Sequence, residues 1–489
     1  MHIWKSVYLN GLIVICLILT GCASINDGTG GNFGRISPSV SANIDPREVA
    51  IGRKEHPKVI AAYGGVYQHA KVEQAVATLV GRLVAASEQP GRSYRVTILN
   101  SPGINAFALP GGYLYVTRGL LGLAADAAEL GAVLAHEMAH VTARHALARA
   151  EKARNNQLLS RVMNNVIGNK KATALIEARG SIDLAKFSQT QEFEADRIGI
   201  RTIAKAGLDP YAAQRFLKSM GHYADYRAGV GDDGSSASFL SSHPSTPARI
   251  DKALRSARAI AAPGLGKAEK ADYYKAIDGL LYGDEPSEGF VRGRTYIHPR
   301  LRIAFSLPAG YRLENTTEAV LAIARDGTAV RFDGVEVSRT MPLKLYLQSG
   351  WISGLIKGSI RDTVINGLPA AVATARAKGW TFRIAVIRVE TATYRFVFAT
   401  PRPTPGFEGA VAETIGSFRS LSQADALRFK PLVLKIIQVS KADTLAHLVG
   451  RMRGVERPDR LFRIINGLHA GKVPGTGDMV KIVVEQRKK

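Results

Sequence analysis

Residues 136–140 read His-Glu-Met-Ala-His, and a third histidine, His145, follows five residues later. On a helix each residue turns about 100°, so His136 and His140 stand only about 40° apart on one face. Two imidazoles so placed can grip one metal ion. Glu137 lies about 100° round from His136, where it can face a water at that metal without ligating it. Leu130, Leu134, Met138 and Val141 gather on the other side and make a buried face. His145 falls about 180° from His136 by the same count, near that buried face, and reads as structural. A catalytic zinc needs a third protein ligand and an open position. The pattern H-E-x-x-H-x-x-G-x-x-H would supply the ligand nearby, but Ala143 and Ala146 occupy the required places. The third ligand must come from elsewhere, and Gln191-Glu192-Phe193-Glu194-Ala195-Asp196 is the candidate stretch. Glu192 and Asp196 share a helix face, so one can bind metal while the other holds the far N–H of a ligand histidine. Glu194 competes with them but points about 200° away from Glu192.

These side chains need a frame. Helical periodicity begins near Asp45-Pro46 and recurs to about residue 88, and Arg95–Asn100 alternates like a strand. Two strand-like runs then flank Pro110-Gly111-Gly112, a hairpin signal. Asp126 with Glu129 three residues on has the form of a capping box and opens the helix carrying the histidines. Further helix reaches about residue 225, with a start at Asp209-Pro210. The Gly/Asp/Ser run 229–238 reads as a loop, and the stretch beginning Ser241-Ser242-His243-Pro244 leads into another helix. Near residue 287 the texture changes to strand-rich sequence that continues to about 422. The fold class is α+β and multidomain. A mainly helical domain with a small hairpin sheet spans 45–286, a β-rich domain spans 287–424, and a small basic α/β module spans 430–489.

Four motifs agree in order: the stretch 105–121 around the hairpin, His136–His140, Glu192–Asp196, and the His243–Ile250 segment. Together, over about residues 46–285, they resemble peptidase family M48. The resemblance implies a zincin-type domain with one zinc ion per chain on His136, His140 and Glu192. It implies Glu137 as general base and Asp196 as the partner behind a ligand histidine. His243 would lie near the metal, either aiding the oxyanion or capping the zinc. Relatives of the prenyl-protease type follow this histidine with tyrosine, whereas Pro244 follows here, which shifts weight toward capping. Arg249 would either pair with an acidic site residue or hold a substrate carbonyl. The hairpin, through Asn105, Ala106, Phe107 and Ala108, would offer an edge strand to which an extended substrate adds, selecting unfolded chains rather than a sequence.

The N-terminus gives the compartment. Lys5 precedes an apolar run, Leu12–Leu19, shorter than the roughly 20 residues a spanning helix needs. It ends in Leu19-Thr20-Gly21-Cys22, which resembles the bacterial lipobox. This implies a signal peptide over 1–21, lipid on Cys22, and a flexible tether over 22–44. Ala23, rather than Asp, in second place implies the periplasmic face of the outer membrane. Cys16 and Cys22 are the two cysteines of the chain, so the domains after them carry no disulfide. The formal net charge of +24 suits acidic partners, and the signal argues against nucleic acid as one of them. Val439–Leu445, Ile464–Leu468 and Gly477–Ile482 fall in the order of LysM modules, which bind peptidoglycan, although Ala442 replaces the usual glycine. The expectation is a lipid-anchored, zinc-dependent endopeptidase acting on unfolded or misassembled envelope proteins. One alternative is a non-proteolytic outer-membrane assembly factor binding clients and peptidoglycan, and another is a peptidoglycan-directed peptidase.

Overall fold

The computed structural model describes residues 45–145, 148, 189–229, 239, 243–316, 319–468 and 471–486. The signal, the tether and Cys22 lie outside the described residues, as does most of the 229–238 loop. Among the described residues the fold is α+β, with four sheets and helices throughout. Among the described residues no helix is long and apolar enough to cross a membrane.

The first part is organised around one buried helix. Helix α1 (Pro46–Ala62) begins at Asp45, whose side chain accepts from the Arg47 amide. Helix α2 (Ala70–Ala86) buries Val72, Val76, Leu79, Val80 and Leu83, the three-and-four spacing of one apolar face. A three-stranded sheet follows in the order β1 (Arg95–Leu99), β3 (Tyr113–Thr117), β2 (Ala106–Leu109), with β1 parallel and β2 antiparallel to β3. The β2–β3 turn uses Gly111 and Gly112 at φ 83° and 80°. A Cβ on Gly112 would stand 2.3 Å from the Ser93 carbonyl oxygen, so the turn needs glycine there for space as well as for conformation. After the short α3 (Arg118–Leu123) comes α4 (Ala127–Thr142), buried without interruption from Ala128 to Ala139. Asp126 accepts from the Glu129 amide at 2.8 Å and Glu129 accepts from the Ala125 amide at 2.9 Å, so both acids satisfy amides that the helix leaves open.

Further helices of this part are α5 (189–205), α6 (Ala212–Gly229), α7 (Pro247–Ile260) and α8 (Lys270–Ile277). Gly199 is the contact between α5 and α4. A Cβ there would lie 3.1 Å from the His136 backbone nitrogen, so the two helices meet backbone to backbone at the motif.

The β-rich part is built on a seven-stranded antiparallel sheet. In spatial order its strands are Arg361–Ile365, Leu368–Ala377, Trp380–Val389, Ala392–Thr400, Ala329–Val335, Val320–Ala324 and Tyr311–Asn315. It has a core of its own, centred on Phe305, Phe332, Phe396, Phe398 and Phe418.

The last segment runs strand (Leu432–Gln438), two helices (Leu445–Gly450, Pro458–Ile465), strand (Met479–Glu485). Its two strands pair antiparallel, and the first also pairs with Leu281–Tyr282. Its buried side chains, Leu434, Leu448, Phe462 and Ile482 among them, belong to the same core as those of α2 and α4. Lys481 is fully buried in this joint. Its ammonium donates to the carbonyls of Gly122, Leu123 and Ala124 at 2.8, 3.3 and 2.7 Å, closing the C-terminal end of α3. Burial pulls its pKa down to about 7, against the pull of Glu129.

Candidate metal centre

The apolar residues of α4 drive it into the core, and the same helix carries His136, Glu137 and His140 inward. His136 is 4% exposed and Glu137 2%. Helix α5 lies against this stretch at Gly199 and presents Glu192 and Asp196 from the same face, seven and three residues earlier. The segment before α7 brings His243. One ligand atom from each of His136, His140, Glu192 and His243 can be chosen so that all lie within 4.8 Å of one another. His140 Nε2 stands 3.0 Å from His136 Nε2 and 3.3 Å from a Glu192 oxygen. His243 Nδ1 stands 3.2 Å from His136 Nε2 and 2.8 Å from Glu192 Oε2. Its other nitrogen is 3.5 Å from Glu137 Oε1. Phe239 stacks on the His243 ring at 4.6 Å, and its amide donates to the Ile104 carbonyl, just before β2.

The acids behind the ligands are partnered. Asp196 Oδ1 lies 2.9 Å from His136 Nδ1. Arg249 donates through Nε and Nη2 to Asp196 at 2.8 and 2.7 Å, and its Nη1 is 3.0 Å from Glu192. Its guanidinium therefore faces the acids and is 3% exposed. Thr246 caps α7 by accepting from the Arg249 amide, which places Arg249 in the first turn.

The electrostatics fit a cation. Burial raises the Glu192 carboxyl, but hydrogen bonds from His136, His140 and His243 outweigh it and hold the group far below the usual carboxylate range. Burial lowers His136, yet Asp196 and Glu192 raise it to about 9. Surroundings that favour a proton on His136 favour a metal cation among the same ligands. Burial and its neighbours His136 and His243 keep His140 down near 3, despite Glu192, so it is neutral and ready to ligate. Burial raises the Glu137 carboxyl above its ordinary value, against the pull of His243 and His136. Three imidazoles and one carboxylate, with no thiolate, form a donor set that suits zinc.

Around the proposed substrate side, Asn105 precedes the strand rather than belonging to it. Its amide donates to Thr117 Oγ1 and its side chain to Tyr63 Oη. Ala106, Phe107 and Ala108 lie in β2, which occupies a sheet edge and packs against α4. Phe107 stacks on Tyr115 at 4.9 Å.

Sequence reasoning read His145 as structural, on the far side of the helix from His136. The count from His136 assumes an unbroken helix, but α4 ends at Thr142, and Arg144 takes φ 54°. His145 is thereby turned toward the back of His140, with their Nδ1 atoms 2.8 Å apart. No glycine or proline marks this break, so the sequence carried no signal for it. Gly199 was missed, although its spacing from Glu192 and Asp196 was visible.

Comparison with known proteins places this geometry. Residues 70–257 match the family described as Peptidase family M48. The chain is 32% identical over 185 residues to the mitochondrial metalloendopeptidase OMA1 of Schizosaccharomyces pombe, covering 36% of this chain and 50% of that protein. It is 34% identical over 164 residues to the beta-barrel assembly-enhancing protease of Yersinia pestis, covering 31% and 33%. With the protein of that name from Escherichia coli K12 it is 30% identical over 164 residues, again covering 31% and 33%. The matches thus span between a third and a half of these relatives. The family match at residues 70–257 includes His136, Glu137, His140, Glu192, Asp196, His243 and Arg249. Residues 70–257 are thus a Peptidase family M48 domain, and the cluster of His136, His140, Glu192 and His243 within it suits the zinc of a metallopeptidase.

Proposed function

We propose that the protein is a zinc-dependent endopeptidase of the bacterial cell envelope, acting on unfolded or misassembled proteins there. The observation that carries this reading is the convergence of His136, His140, Glu192 and His243 beside Glu137. His136, His140 and Glu192 would hold the zinc, which when bound supplies Lewis acidity toward a water and a peptide carbonyl. Glu137 accepts the proton of the attacking water and returns it to the leaving amine. Asp196 fixes the ring of His136, and Arg249 fixes Asp196. The edge strand β2 would take the substrate as an added strand, with Ala106, Phe107 and Ala108 supplying backbone partners and Asn105 holding the strand's entry.

His243 stands where a fourth ligand would, which supports its capping role over an oxyanion role in this state. The capped site gives the assembly-factor alternative its footing, since a chain held this way binds clients without cleaving them. Lipid anchorage at Cys22 on the periplasmic face of the outer membrane rests on the lipobox resemblance. Peptidoglycan binding by 430–489 rests on the LysM-like motif order and on a charge of 13 Lys+Arg against 5 Asp+Glu in that segment. The relatives named beta-barrel assembly-enhancing protease favour an envelope setting.

The test uses zinc-loaded protein, wild type and His243→Ala, on unfolded casein, on a folded protein and on muropeptides. The expected result is cleavage of casein alone, faster with His243→Ala, lost on chelation and restored by zinc. Casein left intact by both proteins would favour the assembly factor, and muropeptide cleavage would favour the cell-wall peptidase.

A further inference from the structure

We propose that His145 is a positioning residue for the ligand His140, and that Glu194 completes a relay behind it. The inference rests on the zinc reading above but concerns groups outside the ligand set. His140 turns Nε2 toward His136 and Glu192, so its Nδ1 faces away from the metal position. That Nδ1 meets His145 Nδ1 at 2.8 Å, with the two rings edge to face at 73°. His145 is 4% exposed, and its Nε2 lies 3.4 Å from Glu194 Oε2.

One assignment of protons suits both of these contacts. A metal on Nε2 of His140 puts that ring's proton on Nδ1, which then donates to His145 Nδ1. His145 must accept there, so its own proton sits on Nε2, on the side where Glu194 Oε2 lies at an ion-pair distance of 3.4 Å. The other ligand histidine, His136, has the carboxylate of Asp196 directly behind it. Behind His140 the chain inserts an imidazole between ligand and carboxylate. The three acidic residues of the α5 stretch then divide the work: Glu192 ligates, Asp196 orients His136, and Glu194 orients His140 through His145.

The local backbone is shaped for this. A left-handed, non-glycine Arg144 is sterically unfavourable and persists where its surroundings enforce it. Its guanidinium reaches Glu48 at 3.2 Å and Asp45 at 3.7 Å, both from the start of α1. The Gln191 side chain donates to the His145 carbonyl at 3.0 Å, tying the turn to α5. Helix α1 and helix α5 together hold the corner that aims His145.

The experiment measures zinc affinity by chelator competition on full-length mature protein, with the melting temperature of the metal-free form recorded alongside. His145→Phe keeps the ring volume but cannot accept a hydrogen bond, and should weaken zinc binding about 10- to 100-fold. In His145→Asn the amide oxygen takes the place of Nδ1, and affinity should stay within about threefold of wild type. Glu194→Gln should fall between the two. Metal-free melting temperatures should match across the set, which a merely structural role for His145 would not allow. Wild-type affinity in His145→Phe would overturn the relay alone, whereas a wild type that takes up no zinc would overturn the metal centre with it. If His145→Phe does not fold, Glu194→Gln decides, and unchanged affinity there overturns the relay.

Discussion

At the scale of residues, the centre is a set of histidines tuned in opposite directions by burial and by their charged neighbours. His136 is raised to about 9 by Asp196 and Glu192 against the effect of burial, while burial keeps His140 near 3. In the metal-free protein the His136 proton contributes stability that is full below the ordinary histidine pKa of about 6.5 and is lost as pH rises through about 9. Zinc must displace that proton. Uptake between pH 7 and 8 should therefore release about one proton per zinc, and apparent affinity should rise with pH up to about 9. Calorimetry in buffers of different ionisation enthalpy checks this, and heats independent of the buffer would contradict it. The sharing of one face by His136 and His140 was legible from helix spacing, whereas the choice of Glu192 and the approach of His243 came only with the family resemblance. The role of His145 was not legible, because the count fails once Arg144 leaves helical geometry.

At the scale of elements, the site depends on how closely α4 and α5 approach. Gly199 sits under the His136 backbone, and a Cβ there would come within 3.1 Å of it. Gly199→Val should push the helices apart and draw Glu192 away from His136 and His140. Zinc affinity should drop about tenfold or more, with a stability loss of about 1–3 kcal/mol from overpacking. A variant that binds zinc as wild type does would show that the contact does not set the ligand spacing. Capping residues and alternation made the helices and the hairpin readable, since Asp126, Glu129 and the glycine pair act locally. The order β1-β3-β2, which leaves β2 at the edge beside α4, depends on long-range pairing that no local pattern encodes.

At the scale of the whole molecule, the β-rich part is an insertion. Leu281 pairs with Val433 and Tyr282 with Leu432, so the chain leaves and re-enters the first core at neighbouring positions. Deleting 430–489 would strip Leu434, Leu448, Phe462 and Ile482 from that core, each worth about 1.5–3 kcal/mol. The sum approaches the roughly 5–15 kcal/mol stability of a typical domain, so this truncation should not fold. Replacing 290–428 by a short Gly/Ser linker should instead leave a folded, zinc-binding protein. Circular dichroism and zinc content distinguish the two deletions, and a folded protein lacking 430–489 would contradict the shared core. The change of texture near residue 287 was visible in sequence. The union of two segments about 150 residues apart into one core was not, because composition describes stretches rather than their contacts.

The central claim is that Glu137 works as the base of a zinc peptidase centre. Its most direct test follows casein cleavage by zinc-loaded His243→Ala protein with and without Glu137→Gln, measuring zinc content in both. The account predicts that Glu137→Gln retains one zinc per chain and loses cleavage by about 10²–10⁴-fold. Cleavage undiminished in Glu137→Gln, at equal zinc, would contradict it.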